Sequence, residues 1–69
     1  MNELKIVVVD DGRDFAARLD SLPRVGDKLV IGLMGKPESF TVKEVVFDLS
    51  GPTSSSLTLA SVTINVTQK

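Results

Sequence analysis

Five residues near the start of the chain, Asp10-Asp11-Gly12-Arg13-Asp14, hold its densest group of chemically capable side chains. Three carboxylates within five positions suit a hard cation such as Ca²⁺ or Mg²⁺. The spacing is not that of an EF-hand loop, and Arg13 puts a positive charge in the middle. Turn chemistry and solubility explain the cluster without an ion, so no metal site is expected. Catalysis is poorly served elsewhere. The chain has no His and no Cys, which removes the commonest general base and the thiol nucleophile. Glu38, Glu44 and Asp48 lie along one expected strand and its entry, with no acid–base partner in reach. Ser54, Ser55 and Ser56 sit in a Gly/Pro/Ser-rich stretch without a base, whereas an oxyanion site needs rigid support. The sequence predicts a protein that is not an enzyme and carries no cofactor. Lys5, Arg18, Arg24 and Lys28 are candidate nucleic-acid contacts. Against them stand a balanced charge and only three aromatic residues, Phe15, Phe40 and Phe47. All three have the parity of core residues, whereas nucleic-acid binding needs several phosphate contacts and usually stacking aromatics.

The elements that must position these residues start with the stretch 4–20, which reads LKIVVVD-DG-RDFAARLD. Asp-Gly between two β-prone runs signals a hairpin with a two-residue type I′ turn. If Asp11 and Gly12 are the turn, Asp10 faces Arg13, Val8 faces Phe15, Ile6 faces Ala17 and Leu4 faces Leu19. Those six apolar residues from Leu4 to Leu19 share one face. Glu3, Lys5, Val7, Val9, Asp14, Ala16, Arg18 and Asp20 take the other. Charges then pair diagonally, Glu3 with Arg18 and Lys5 with Asp20. A competing helix over 15–22, capped by Asp14 and stopped by Pro23, has good helix formers. It leaves Asp11-Gly12 unused, so the strand is preferred.

Further along, Pro23 ends the second strand, Gly26 supplies a turn, and Asp27 holds that turn through its side chain. A third strand over 28–33 turns inward Leu29, Ile31 and Leu33. A turn over 35–38 follows, then a strand over 39–49. Phe40 and Val42 have one parity there, and Val45, Phe47 and Leu49 have the other. A β-bulge near Lys43-Glu44 accounts for the change of phase. Residues 50–56 form a loop. A last strand over 57–67 changes phase in the same way at Ala60-Ser61. Two long strands that each switch phase midway imply a sheet curling towards a barrel.

Composition sets the remaining limits. The 69 residues make one domain, 1–69, with eight basic and nine acidic residues and a net charge of −1. So short a chain buries only about 60% of its unfolded surface, and without Cys no disulfide reinforces it. No basic, apolar leader opens the chain, and no run approaches the ~18 apolar residues of a membrane helix. A cytoplasmic protein with no membrane partner is expected. Asn65-Val66-Thr67 matches a glycosylation sequon, which carries no weight without a secretion signal.

The fold class is thus all-β: a small, strongly bent barrel of about five antiparallel strands. Leu22-Pro23-Arg24-Val25-Gly26-Asp27-Lys28-Leu29-Val30-Ile31, followed across a short loop by the run from Phe40 to Val46, resembles SH3-like small barrels. The chain is also similar to the short barrel proteins of phages and mobile gene cassettes. The resemblance implies a fold and no activity. It departs from peptide-binding SH3 domains in having no Tyr or Trp to line a proline-peptide groove.

The last strand is the oddest feature, because no charge occurs between Asp48 and Lys69. Edge strands are usually guarded by Lys, Pro or inward charges. Either this strand pairs on both sides within the barrel, or another chain covers it. Val7, Val9 and Ala16 add apolar area on the outer face of the hairpin. With Ser61, Thr63 and Asn65 they form the candidate interface. The expected function is a non-enzymatic interaction module. It self-associates, or binds a protein partner, through a strand edge or the apolar outer face. A nucleic-acid-binding barrel is the alternative.

Overall fold

The computed structural model describes residues 2–69, the side chains of Asn2 and Leu33 excepted. Five strands follow in order: β1 (Asn2–Val8), β2 (Asp14–Leu19), β3 (Lys28–Leu33), β4 (Lys36–Ser50) and β5 (Thr58–Thr67). They form one curled sheet in the order β2-β1-β5-β4-β3, a half-barrel. The inward direction expected for the side chain of Leu33 lies outside the described side chains.

Alternation builds the core. Leu4, Ile6 and Val8 of β1, Phe40 and Val42 of β4, and Val62, Ile64 and Val66 of β5 are buried together on the concave face. Phe15, Ala17, Leu19, Leu29, Ile31 and Val45 pack against them, half-buried. The faces expected of the first hairpin are therefore kept, and 15–19 is strand, not helix.

Its register is not the expected one. Ile6 pairs with Phe15, Leu4 with Ala17 and Asn2 with Leu19, a slip of two residues that leaves every side chain on its face. The turn is a four-residue loop, 9–12, closed between Val8 and Arg13. Gly12 alone takes a positive φ, at 80°. Asp11 stays out of the left-handed region because its carboxylate accepts the Arg13 backbone N–H (3.0 Å) and Nε (2.8 Å). Asp10 is drawn across to the end of β5, where it accepts from the Thr67 hydroxyl and the Gln68 backbone N–H. The charge pairing changes accordingly: Glu3 directly opposes Arg18, and the Lys5 ammonium lies 3.7 Å from Asp14 rather than beside Asp20.

The type I′ turn occurs elsewhere. Met34 (φ 52°) and Gly35 (φ 79°) join β3 to β4, so the turn expected over 35–38 is one residue earlier and shorter. Pro37 then lies inside β4, opposite Gly32. Proline is tolerated there because that stretch of β4 has no neighbour on its other side: β5 joins only from Thr41 onward. At the corner before β3, Gly26 (φ 95°) and the Asp27 carboxylate, which accepts the Arg24 N–H at 2.8 Å, hold the turn as expected.

Both phase changes are bulges. The β4–β5 register shifts between Val42 and Glu44, leaving Lys43 unpaired, and between Asp48 and Leu49, where Ala60 is the extra residue. These bends curl the sheet. The sheet is mixed, which corrects the all-antiparallel expectation: β1 and β5 run parallel, with Lys5 beside Thr63 and Ile6 beside Ile64. The meander β3-β4-β5 delivers β5 in the same direction as β1. Pairing them joins the two apolar ribbons into one concave face.

Candidate functional site

The curl stops short of closure. β2 and β3 are the two edges of the sheet, and they face one another across a cleft of about 230 Å³. Its apolar lining includes Phe15, Ala17, Leu19, Leu29 and Ile31. Among the described residues, no Cα of β2 comes within 8 Å of one in β3. Paired strands lie about 4.8 Å apart, so the edges are too far apart to bond directly, and two such spacings admit one more strand.

The backbone along this cleft is unpaired in a definite pattern. Val8 and Arg13 close the first hairpin, so Phe15, Ala17 and Leu19 bond to β1. Asp14, Ala16 and Arg18 turn their N–H and C=O groups outward. In β3, Asp27 accepts from the Val42 N–H. Leu29 and Ile31 therefore bond to β4, and Lys28, Val30 and Gly32 face the free edge. The β2 edge is guarded by Asp14 and Arg18. The β3 edge carries no charge from Leu29 to Gly35, so it lacks the usual protection against pairing with another chain.

One end of the half-barrel is fastened by a polar clasp. The Arg13 guanidinium forks onto Glu38, Nη1 to Oε2 at 2.9 Å and Nη2 to Oε1 at 3.2 Å. Gln68 Nε2 donates to the same carboxylate at 3.1 Å. The guanidinium carbon lies 5.9 Å from the ring centres of both Phe15 and Phe40, within cation–π range. Arg13 thereby ties the β1–β2 hairpin to β4 at the end of the cleft. The hydrogen bonds from Arg13 hold the Glu38 carboxyl below its usual range. The Gln68 N–H and the Thr67 hydroxyl do the same for Asp10. A carboxylate depressed in the folded state stabilises fully above its unfolded pKa, about 4, and loses that contribution as pH falls through the folded value. Glu38→Gln is therefore expected to weaken the fold at neutral pH and to reduce its further loss at pH 3. Urea midpoints at the two pH values measure this; equal losses in both proteins overturn the assignment.

The acidic cluster is thus dispersed into structural work: Asp10 to the end of β5, Asp11 to Arg13, Asp14 to Lys5. Among the described residues no group of three or more metal-ligating side chains gathers. Nothing in the sequence pattern singled out the Arg13–Glu38 pair, whose members are 25 residues apart.

The candidate interface residues are placed as follows. Val7, Ala16, Thr63 and Asn65 lie side by side on the convex face of β2, β1 and β5, because Lys5 adjoins both Ala16 and Thr63, and Val7 adjoins Asn65. Ser61 continues that row, and Val9 follows the end of β1. Asn65 donates to Glu44 and Ser61 to Asp48. Thr63 and Asn65 do not form an edge: of the two alternatives for the last strand, this part takes the one that pairs on both sides, whereas Ser61 lies where β5 pairs with β4 alone. β5 is central, paired to both β1 and β4 from Thr63 to Val66, and there it needs no guarding charges.

Of the candidate nucleic-acid contacts, Lys5 and Arg18 share the convex face of the β1–β2 ribbon, each beside a carboxylate. Arg24 lies in the connection after β2, and Lys28 opens β3 at the opposite edge of the sheet. No helix of the described residues is long and apolar enough to cross a membrane.

The class defined by this geometry is a small all-β half-barrel with an apolar cleft between its two free edges. Comparison of the chain with family models, curated proteins and solved structures returns no match.

Proposed function

We propose that this protein is a non-enzymatic interaction module of SH3-like small-barrel kind, which binds an extended segment of a protein partner by strand addition in the β2–β3 cleft. One observation carries the reading: two unpaired strand edges, with no Cα pair within 8 Å, face each other over an apolar floor. A guest strand gains main-chain hydrogen bonds from the edges, and its alternate side chains gain burial against Phe15, Leu29 and Ile31. The guest this chemistry fits is about six residues long, apolar at every second position, and uncharged where it passes Val30 and Gly32. The likeness to SH3-like barrels is one of a small, strongly bent sheet of five strands; the parallel β1–β5 contact and the open cleft set this chain apart.

Val30→Pro is the informative variant. The Val30 N–H points to the free edge, so proline removes a donor for the guest while the bonds of β3 to β4 remain. Displayed extended peptides with alternating apolar residues are expected to bind the native protein and to lose about tenfold in affinity, ~1.4 kcal/mol, on Val30→Pro. Thermal unfolding checks that the fold is retained. Unchanged peptide binding in Val30→Pro and Ala16→Pro overturns the reading. So does salt-sensitive RNA or DNA binding that disappears when Arg18, Arg24 and Lys28 are neutralised.

A further inference from the structure

The sheet does not end where its core ends. β3 accompanies β4 only as far as Thr41, and β1 accompanies β5 only from Thr63 onward. Beyond those points β4 and β5 continue as a two-stranded arm through the pairs Phe47–Val62, Asp48–Ser61, Leu49–Leu59 and Ser50–Thr58. The molecule measures 44 × 22 × 19 Å, longer than a compact barrel of this size.

The arm is apolar where it should be covered. Val45 and Phe47 have the parity of the concave face, and Leu49 and its partner Leu59 continue that row. Yet Phe47 is 53% exposed, Leu49 56%, Leu57 51% and Leu59 45%. The row begins at buried Val62 and runs out from the core without a break. At its base, Leu4, Leu19, Leu22 and Leu59 share with Asp20 a second concavity of about 180 Å³, at the end of the half-barrel away from the Arg13–Glu38 clasp.

We propose that this arm is a self-association surface, occupied by the arm of a second copy of the chain in a two-fold symmetric dimer. Two features select that occupant. The first is charge. No charged residue occurs from Leu49 to Gln68, so the row of Phe47, Leu49, Leu57 and Leu59 meets its copy without like-charge repulsion; the carboxylates of Asp20 and Glu3 lie only at the base of the arm. Asp48, the nearest charge along the chain, points to the opposite face, where it accepts from Ser61 at 3.0 Å. The second is area. Four half-exposed large side chains form a patch of about 300–400 Å², as large as the patches a monomer leaves open. Two such patches pressed together, with Leu22 of each copy, bury less than ~1,000 Å², in the range of weak, transient interfaces. A two-fold axis lets one patch serve both copies. The resulting dimer is weak and depends on concentration.

This goes beyond the strand-addition reading and uses a different surface, so the two fail separately. Light scattering across a dilution series is expected to show a mass near 7.4 kDa when dilute, rising towards twice that value at high concentration. Leu49→Asp and, independently, Leu57→Asp are expected to weaken the dimer at least about thirtyfold. Both residues lie outside the core, and circular dichroism confirms that each variant is folded. Val30→Pro is expected to leave the dimer intact. A mass that stays monomeric at millimolar concentration overturns the proposal. A dimer that survives both arm variants, or one lost on Val30→Pro instead, also overturns it.

Discussion

Phe40→Ala is expected to unfold a large fraction of this protein at 25 °C. Phe40 is the largest fully buried side chain. It lies at the centre of the concave face with Val42, Ile64 and Val66, and Arg13 rests over its ring. Removing a buried Phe side chain costs about 3–5 kcal/mol, for lost transfer and for the cavity left behind. A domain of this length has about 3–10 kcal/mol in total, with no disulfide in reserve. The substitution also removes one of the two rings beneath Arg13, so the clasp loses its floor. Denaturant unfolding followed by far-ultraviolet circular dichroism measures the effect. Thr41→Ala, one residue along on the other face, is expected to cost less than about 1 kcal/mol. Equal losses at the two positions would show that the concave face is not the core.

Gly51→Ala is expected to cost about 1–3 kcal/mol, although Gly51 lies in an exposed loop where substitutions are usually mild. A Cβ at this position would lie 2.1 Å from the Ser56 carbonyl oxygen and 2.9 Å from its carbon. Both atoms are backbone, so no rotamer change relieves the clash; the loop 51–57 must open. That loop holds Leu57 beside the end of the arm, and the bond from the Thr58 hydroxyl to the Ser50 carbonyl closes its base. The loss should therefore appear in two measurements. The thermal midpoint falls by about 4–8 °C per kcal/mol for a domain of this size, and self-association weakens because the apolar tip is displaced. Ser55→Ala in the same loop is the control, expected to change neither. A Gly51→Ala protein with an unchanged midpoint would show that this loop adopts another conformation in solution.

How much of this was legible in the residues can be judged at particular positions. The two bulges could be read because alternation is a local property: Phe40 and Val42 are out of phase with Val45 and Phe47, and Leu59 with Val62, whichever strands lie beside them. The faces of the first hairpin were legible for the same reason, and they survived a wrong turn assignment because the slip was an even number of residues. The turn itself was not legible. Asp11-Gly12 has the chemistry of a type I′ turn, but Asp10 found its partners at Thr67 and Gln68, more than fifty residues away, and Asp11 was taken by Arg13. Met34-Gly35 formed the tight turn instead, because the pairing of β3 with β4 outweighed the cost of a methionine at positive φ.

By itself, then, the order of residues determined the class of fold, the concave face and the places where the sheet bends, because these follow from side-chain period and turn chemistry along a few neighbouring residues. Tertiary structure alone decided the rest. It placed the uncharged last strand at the centre of the sheet, parallel to β1. It left β2 and β3 as the open edges, and it joined Arg13 to Glu38. Each of these depends on which ribbons meet, and that is set by the total apolar area they bury and the long-range partners their polar groups find, neither of which a local pattern contains.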